Sequence, residues 1–123
     1  MIDFADDTIS CFFVDEADDA PDQTNDVDAA DRTAAAQVPD FASAVDTAMT
    51  AAISSNVLVL DGTDAVFTAL NDDPVESYDL FKNSGVDTTS PFVSNHDDAT
   101  GLPLDPSGGN VTIVWAATGI IRI

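Results

Sequence analysis

The most constraining feature of the sequence is a strongly β-prone run at residues 110–123, NVTIVWAATGIIRI. β-Branched and aromatic residues alternate along its first half with a period of two, which is typical of a strand packed on a pleated surface. Gly119 permits a bulge or bend before the pattern resumes at Ile120. We therefore expect this run to be paired in a sheet.

Shorter runs of the same kind recur along the chain and are separated by turn residues such as Asp61-Gly62. Many short strands at a spacing of roughly 8–12 residues are typical of a sandwich or a small barrel. The sequence therefore predicts an all-β fold: one antiparallel β-sandwich domain, jelly-roll or immunoglobulin-like, spanning residues 1–123, with an acidic loop at about 15–40. The other expected strands cover residues 8–14, 56–60, 65–70, 75–82 and 91–94.

Residues 41–53 fit two periodicities. At helical spacing the apolar residues form a stripe that Asp40 could cap. At a period of two, Phe41, Val45, Met49 and Ile53 share one face of a strand. The surrounding strands favour the second interpretation. Residues 32–37 are expected to add a brief helical turn, which Pro39 ends.

The charge balance is extreme, because 23 acidic residues face only 3 basic ones and the net charge is −20. Almost all of the acids are aspartate. Molar salt reduces the Debye length to about 3 Å and so screens the repulsion between such charges. The composition therefore predicts a protein adapted to concentrated salt. It also predicts no nucleic-acid partner, because three basic residues cannot neutralise a phosphate backbone.

The acidic loop contains the weak candidates for a metal site. Carboxylate oxygens suit Ca²⁺, but the glycine and terminal glutamate of an EF-hand are missing from this loop and from residues 95–105. A solvated halophilic surface is the favoured interpretation and calcium binding the alternative, so no cofactor is expected. The candidate ligands are Asp15, Asp18, Asp19, Asp22, Asp26 and Asp28.

No catalytic motif is recognisable, so we expect the chain not to be an enzyme. Cys11 lies within an apolar run and is expected to be buried and inert. His96 is expected in a solvated loop, and Trp115 in the core. No apolar run is long enough to span a membrane, and the acidic start MIDFADD predicts no cleaved signal peptide.

Three segments carry a resemblance to a known family: DTISCFFVDEADDAPDQTNDVDAAD, NVLVLDGTDAVFTAL, and SYDLFKNSGVDTTSPFVSN followed by NVTIVWAATGIIRI. Their order resembles that of small structural proteins of tailed phages, described as minor structural, head-fibre or decoration proteins. Residues 82–91 are similar to a "KDTGTDATSPLI"-like segment of that family, and residues 111–123 to its final "FTIQWNAAGIFRL"-like strand. Together with the acidity, the resemblance suggests a virus of a haloarchaeon.

The resemblance implies a virion protein on the capsid surface, which decorates or cements the shell or forms the base of a vertex turret or fibre. Expected partners are other copies, as a trimer or pentamer, and the major capsid protein. Apolar residues on second strand faces, Phe12, Phe81 and Ile120, are the interface candidates. The family implies no catalytic residues. The alternative is a tail or fibre receptor-binding module, assisted by calcium, and a small halophilic enzyme comes third.

Overall fold

A computed structural model describes residues 3–4, 6–116 and 119–122, with 121 and 122 described by their backbone alone. Within these residues all strands pair antiparallel, and the helices are short 3₁₀ turns, at Ala29–Asp31, Ala34–Ala36, Phe41–Ser43 and Asp87–Thr89. The predicted all-β class is confirmed. The strands are β1 (Ile9–Val14), β2 (Gln37–Val38), β3 (Val45–Thr47), β4 (Thr50–Ser54), β5 (Val57–Asp61), β6 (Ala65–Phe67), β7 (Ser77–Lys82), β8 (Phe92–His96), β9 (Val111–Ile113) and β10 (Ile121–Arg122).

The largest sheet is built around β1 and β7, which pair along their whole lengths. Strand β8 lies on the outer side of β7, and β2 and β3 share the other side of β1. Every residue of β1 is buried. Successive side chains of a strand point to opposite faces, so both faces of this sheet must be covered.

One face of the sheet forms the main core. Cys11, Phe13 and Leu80 pack there with Leu60 of β5 and Phe67 of β6. The rings of Phe13 and Phe67 lie 4.8 Å apart between centroids. This shared core joins the two smaller sheets to the large one.

The other face carries a second apolar cluster. Phe12 and Phe81 lie 5.0 Å apart between ring centroids, and Phe41 stacks on Phe81 at 5.4 Å. Ala29 and Phe92 complete the contacts from outside β1 and β7. The acidic loop therefore folds back over this face through its 3₁₀ turns, and is a cover for the sheet.

Of the two smaller sheets, one has three strands and the other has two. Strands β4 and β5 form a hairpin, which Ser55 and Asn56 close with φ values of 52° and 64°. Positive φ at both central residues is what a two-residue type I′ turn requires. Strand β10 pairs with the other side of β5, so β4 is an edge strand. Strands β6 and β9 form the remaining pair.

Residues 41–53 are mainly extended, as the strand interpretation predicts. They supply β3 and β4 after an initial 3₁₀ turn at Phe41–Ser43. Asp40 caps that turn, because its Oδ1 accepts a hydrogen bond from the Ser43 N–H at 3.1 Å. The brief turn expected within 32–37 is observed at Ala34–Ala36.

The described parts of the run at 110–123 are paired, as expected, but they form two strands on either side of the bend instead of one paired run. Strand β9 ends at Ile113, β10 begins at Ile121, and the two belong to different sheets. Gly119, with φ +100°, lies between them. The parts of that prediction that fall on residues 117, 118 and 123 lie outside the described residues. The turn at Asp61-Gly62 likewise joins two strands that pair with other partners, β5 with β4 and β10, and β6 with β9.

Candidate functional site

The carboxylates of the acidic loop mostly accept hydrogen bonds from backbone N–H groups nearby. The distances run from 2.7 to 3.3 Å, and the acceptors include Asp15, Asp19, Asp22, Asp26, Asp28 and Asp31. Asp28 caps the turn at Ala29–Asp31 and forms a capping box with Asp31. The expectation that these acids stay entirely in solvent is wrong for Asp15, which is buried. Loop carboxylates thus stabilise turns in place of strand pairing.

The structure does not bring the candidate metal ligands together. Among the residues whose side chains are described, no group of three or more His, Cys, Asp or Glu converges on a point that could hold a metal ion. Asp18 is exposed, and Asp26 is committed to an ion pair. Asp15, Asp18, Asp19, Asp22, Asp26 and Asp28 are therefore separate groups along one loop in this part of the chain.

Arg32 is the centre of the loop and is only 2% exposed. Its Nε donates to Asp79 Oδ2 at 3.0 Å, and its Nη1 donates to Asp26 Oδ2 at 2.9 Å. The guanidinium lies 5.3 Å from the centroid of the Phe92 ring. Asp79 faces the covered side of β7 and receives a second hydrogen bond, from Asn95 Nδ2 at 2.8 Å. A buried ion pair therefore fastens the loop to the centre of the sheet.

Charge and hydrogen bonding keep this arginine protonated. Burial acts to lower the pKa of Arg32, but the hydrogen bonds and charges of Asp79 and then Asp26 raise it above its ordinary value. The Arg32 carbonyl oxygen accepts from Gln37 Nε2 at 2.8 Å, and Gln37 Oε1 accepts from the Phe41 N–H at 2.9 Å. The network links the second half of the acidic loop to β7 and to the turn at Phe41–Ser43, and its role is structural.

Two of the three predicted interface residues are inside the chain. Phe12 and Phe81 are both 0% exposed, because the acidic loop covers the sheet face on which they lie. They offer no free surface to another subunit, and that prediction is corrected here. Ile120 is half-buried and packs at the margin of the main core. Its N–H donates to the Leu60 carbonyl oxygen at 2.7 Å.

A cleft of about 580 Å³ opens between residues 98–104 and strand β9. Tyr78 and Trp115 contribute to its wall and meet edge to face, 5.8 Å apart between centroids. The Trp115 indole N–H donates to the Thr63 carbonyl oxygen at 2.8 Å. The core position predicted for Trp115 is confirmed. Burial, and then the charge of Asp98, raise the pKa of Tyr78 to about 12.

His96 ends strand β8 instead of lying in a solvated loop. Its ring stacks on Tyr78 at 5.0 Å between centroids, which half-buries it. Burial lowers the pKa of His96 below its ordinary value, against the raising effects of nearby aspartates. Its Nε2 lies 2.8 Å from Ser94 Oγ. The two side chains meet because residues two apart on a strand share a face, a contact that the sequence analysis missed.

Cys11 is buried in the main core, as predicted. Burial, with the charge of Asp46, raises the pKa of its thiol to about 12. Because the thiolate is the nucleophile, this thiol is inert at neutral pH.

The β4–β5 hairpin presents the other notable surface. All five residues of β4 are exposed, and Ile53 is 78% exposed. Leu58, directly across the hairpin from Ile53, is also exposed. No charged residue occurs anywhere in residues 47–60. This uncharged edge, which no strand of the described residues pairs with, is the candidate assembly surface.

The described residues contain no helix that is both long and apolar enough to cross a membrane. Comparison with protein-family models and with curated proteins finds no match to this chain.

Proposed function

We propose that this chain is a structural protein of a halophilic tailed virus of the haloarchaeal type. It lies on the capsid surface, where it decorates or cements the shell or forms the base of a vertex turret or fibre. Its partners are the major capsid protein and other copies of itself, as a trimer or pentamer, without nucleic acid or membrane. The proposal includes a sandwich arrangement of the three sheets, jelly-roll or immunoglobulin-like.

One observation carries the proposal: an exposed strand edge without charge on a chain whose net charge is −20. Exposed apolar or unpaired strand surface is a liability for a free protein and is usually blocked. A protein that assembles on a lattice uses such surface. The sequence resemblance to phage structural proteins supports the same role, and the acidic exterior would keep assembled particles dispersed.

The first test is the mass of the purified protein by light scattering in about 3 M KCl, where charge repulsion is screened. We expect an oligomer, and we expect peptides of this chain in purified virions by mass spectrometry. A strict monomer at every concentration, together with absence from particles, would end the proposal.

A receptor-binding module of a tail or fibre is the second candidate, and the cleft beside Tyr78 and Trp115 favours it. Aromatic side chains in the wall of a cleft suit ligands that present apolar faces, such as sugars. The calcium assistance expected from the sequence stays part of this candidate, although the described carboxylates do not converge on one point.

Fluorescence of the single tryptophan gives a direct assay of this module. Host surface polysaccharide is added with calcium or with a chelator, and the emission of Trp115 is followed. A saturable change that the chelator removes supports calcium-assisted binding. Unchanged emission at millimolar saccharide counts against the module.

A further inference from the structure

Strand β4 lacks the devices that usually protect an edge strand. Proteins block their edges with charged residues, proline, bulges or covering segments. The β4 sequence TAAIS contains no charge and no proline, and it pairs with β5 residue for residue without a bulge. All five residues are exposed, so nothing in the described chain covers them. The edge is open for a further strand.

The charge distribution indicates which kind of strand could add there. A basic partner would be drawn to the acidic surface, away from residues 47–60, which carry no charge. A second copy of this chain carries the same net charge of −20, and the repulsion between two copies is weakest where such uncharged surfaces meet. The uncharged edge therefore fits a like-charged partner, and the simplest one is another copy.

The hairpin fixes which backbone groups of β4 are available. Ser54 and Val57 flank a two-residue turn and form its closing hydrogen-bonded pair. Because hydrogen-bonding direction alternates along a strand, Ala52 also directs its backbone groups toward β5. The N–H and C=O groups of Ala51 and Ile53 then point outward.

We propose that β4 pairs antiparallel with β4 of a second copy about a two-fold axis at Ala52. This register overlaps all five residues and places Ala51 opposite Ile53 of the partner subunit, so the outward groups of both strands exchange hydrogen bonds. The two hairpins then form one continuous sheet, and Ile53 and Leu58 gain apolar neighbours.

The inference rests on the proposed assembly role, because it names the partner of that same surface. The contact is isologous and joins copies in pairs. A trimer or pentamer needs a second surface, and this pair would then link neighbouring rings.

The test is a disulfide placed on the proposed axis. In this register the two Ala52 residues form a non-hydrogen-bonded pair with Cα atoms about 4.5 Å apart, within the range that a disulfide spans. The variant Ala52→Cys has one reactive thiol, since Cys11 is buried with its pKa raised to about 12. We expect a covalent dimer under oxidised glutathione in about 3 M KCl.

Two control variants test the register of the β4–β4 pairing and the specificity of the cross-link. In Ala51→Cys the two Cα atoms would lie about 8 Å apart, too far for a bridge. Val86→Cys places a thiol on an exposed residue outside β4. We expect both controls to cross-link at least tenfold more slowly than Ala52→Cys. Equal rates in all three variants would show random collision and would overturn the inference.

A fourth variant tests whether cross-linking requires hydrogen-bonded strand pairing or only the proximity of the two thiols. Adding Ala51→Pro to Ala52→Cys removes an outward N–H while leaving the hydrogen bonds to β5 in place. We expect the cross-linking to be lost, with Cys11 still unreactive as a sign that the fold is intact. Cross-linking that survives the proline contradicts strand pairing.

The proposed contact and the proposed function can also fail independently of each other. Oligomers or virion incorporation without the Ala52→Cys dimer would refute this contact and leave the assembly role standing. A specific dimer from a chain that is absent from virions would do the reverse.

Discussion

Gly119 lets the chain turn from the region of β9 toward β10 at a point where a side chain does not fit. Its φ is +100°, and an added Cβ would overlap the Val59 side chain and lie 3.1 Å from the Leu60 carbonyl oxygen. We expect Gly119→Ala to lower the free energy of unfolding by at least about 2 kcal/mol, from backbone strain and from the overlap. Urea denaturation in about 3 M KCl measures the change.

Gly109→Ala is the matched control, because a Cβ at that position meets open space. Its free energy of unfolding should be unchanged or raised by up to about 1 kcal/mol, since alanine restricts the unfolded chain. Equal losses in the two variants would mean that the bend at Gly119 does not depend on glycine.

His96 gives the protein a pH dependence of predictable sign. Burial lowers its pKa in the folded state, while Asp98, Asp79 and Asp97 act to raise it. The unfolded chain therefore binds a proton more readily than the folded chain. The neutral imidazole contributes stability above the unfolded pKa of about 6.5, and this is lost as the pH falls through the lowered folded value.

The variant His96→Phe isolates this effect, because it keeps a ring on Tyr78 and removes the titration. Thermal melts between pH 7.5 and pH 5 should show the wild type losing more stability than the variant. An opposite difference would mean that the carboxylates outweigh burial and that the folded pKa is raised.

One buried ion pair, between Arg32 and Asp79, links the acidic loop to the centre of the large sheet. Replacing Arg32 with methionine leaves Asp79 buried without its cation, a change that costs about 3–5 kcal/mol when a buried pair is broken. Lys82→Met removes the same charge from a partly exposed pair, in which Lys82 Nζ lies 3.2 Å from Asp7 Oδ2, and should cost about 1 kcal/mol or less. Unfolding of both variants in the same high-salt buffer compares the two sites directly.

The double variant Arg32→Met with Asp79→Leu tests the cause of that loss. Removing both charges leaves no unpaired ion at the centre of the sheet, and only the partly exposed Asp26 loses its partner, so we expect much of the stability to return. A single Arg32 variant no worse than the Lys82 variant would show that the loop is held by its apolar contacts instead.

The sequence predicted β1 and β7 well, because their alternation is local and strong. It missed what covers them. Phe12 and Phe81 were predicted to be free for other subunits, since the strongly acidic covering loop suggested a solvated segment. One of the contacts that hold it is a hydrogen bond between Arg32 and Asp79, residues 47 positions apart. The available signal was Asp79, an acidic residue in the middle of the strand at 77–82, in a chain that has only three basic residues that could pair with it.

The same limit applies to residues 110–123, where the division of the run between two sheets was not foreseen. Periodicity reports that a segment is extended but carries no information on which sheet it joins. The break between β9 and β10 follows from the geometry of β5 and β6, to which the two strands pair. The sequence also did not indicate that β4 is an edge strand, since only the observed pairing shows which side of the hairpin is left open.

At the scale of the whole molecule, the apolar core stabilises the folded state and the net charge of −20 destabilises it. The three sheets share one core of buried residues. Most of the aspartates are exposed or half-exposed. Folding brings these like charges closer together, so self-repulsion destabilises the compact state in dilute salt. The balance between core and charge therefore depends on the ionic strength of the solvent.

Stability should accordingly rise steeply with salt. Between about 0.2 and 3 M KCl the Debye length falls to a few ångströms, and repulsion between spaced charges is largely removed. A gain of about 2–3 kcal/mol would raise the melting temperature by roughly 10 °C. Sucrose is the solvent control because it screens no charge.

The triple variant Asp6→Asn, Asp18→Asn, Asp105→Asn removes three exposed charges. It should melt at a higher temperature than the wild type in low salt, and its melting temperature should depend less steeply on salt. Parallel salt curves for the two proteins would show that ion-specific effects, and not repulsion between these aspartates, govern stability.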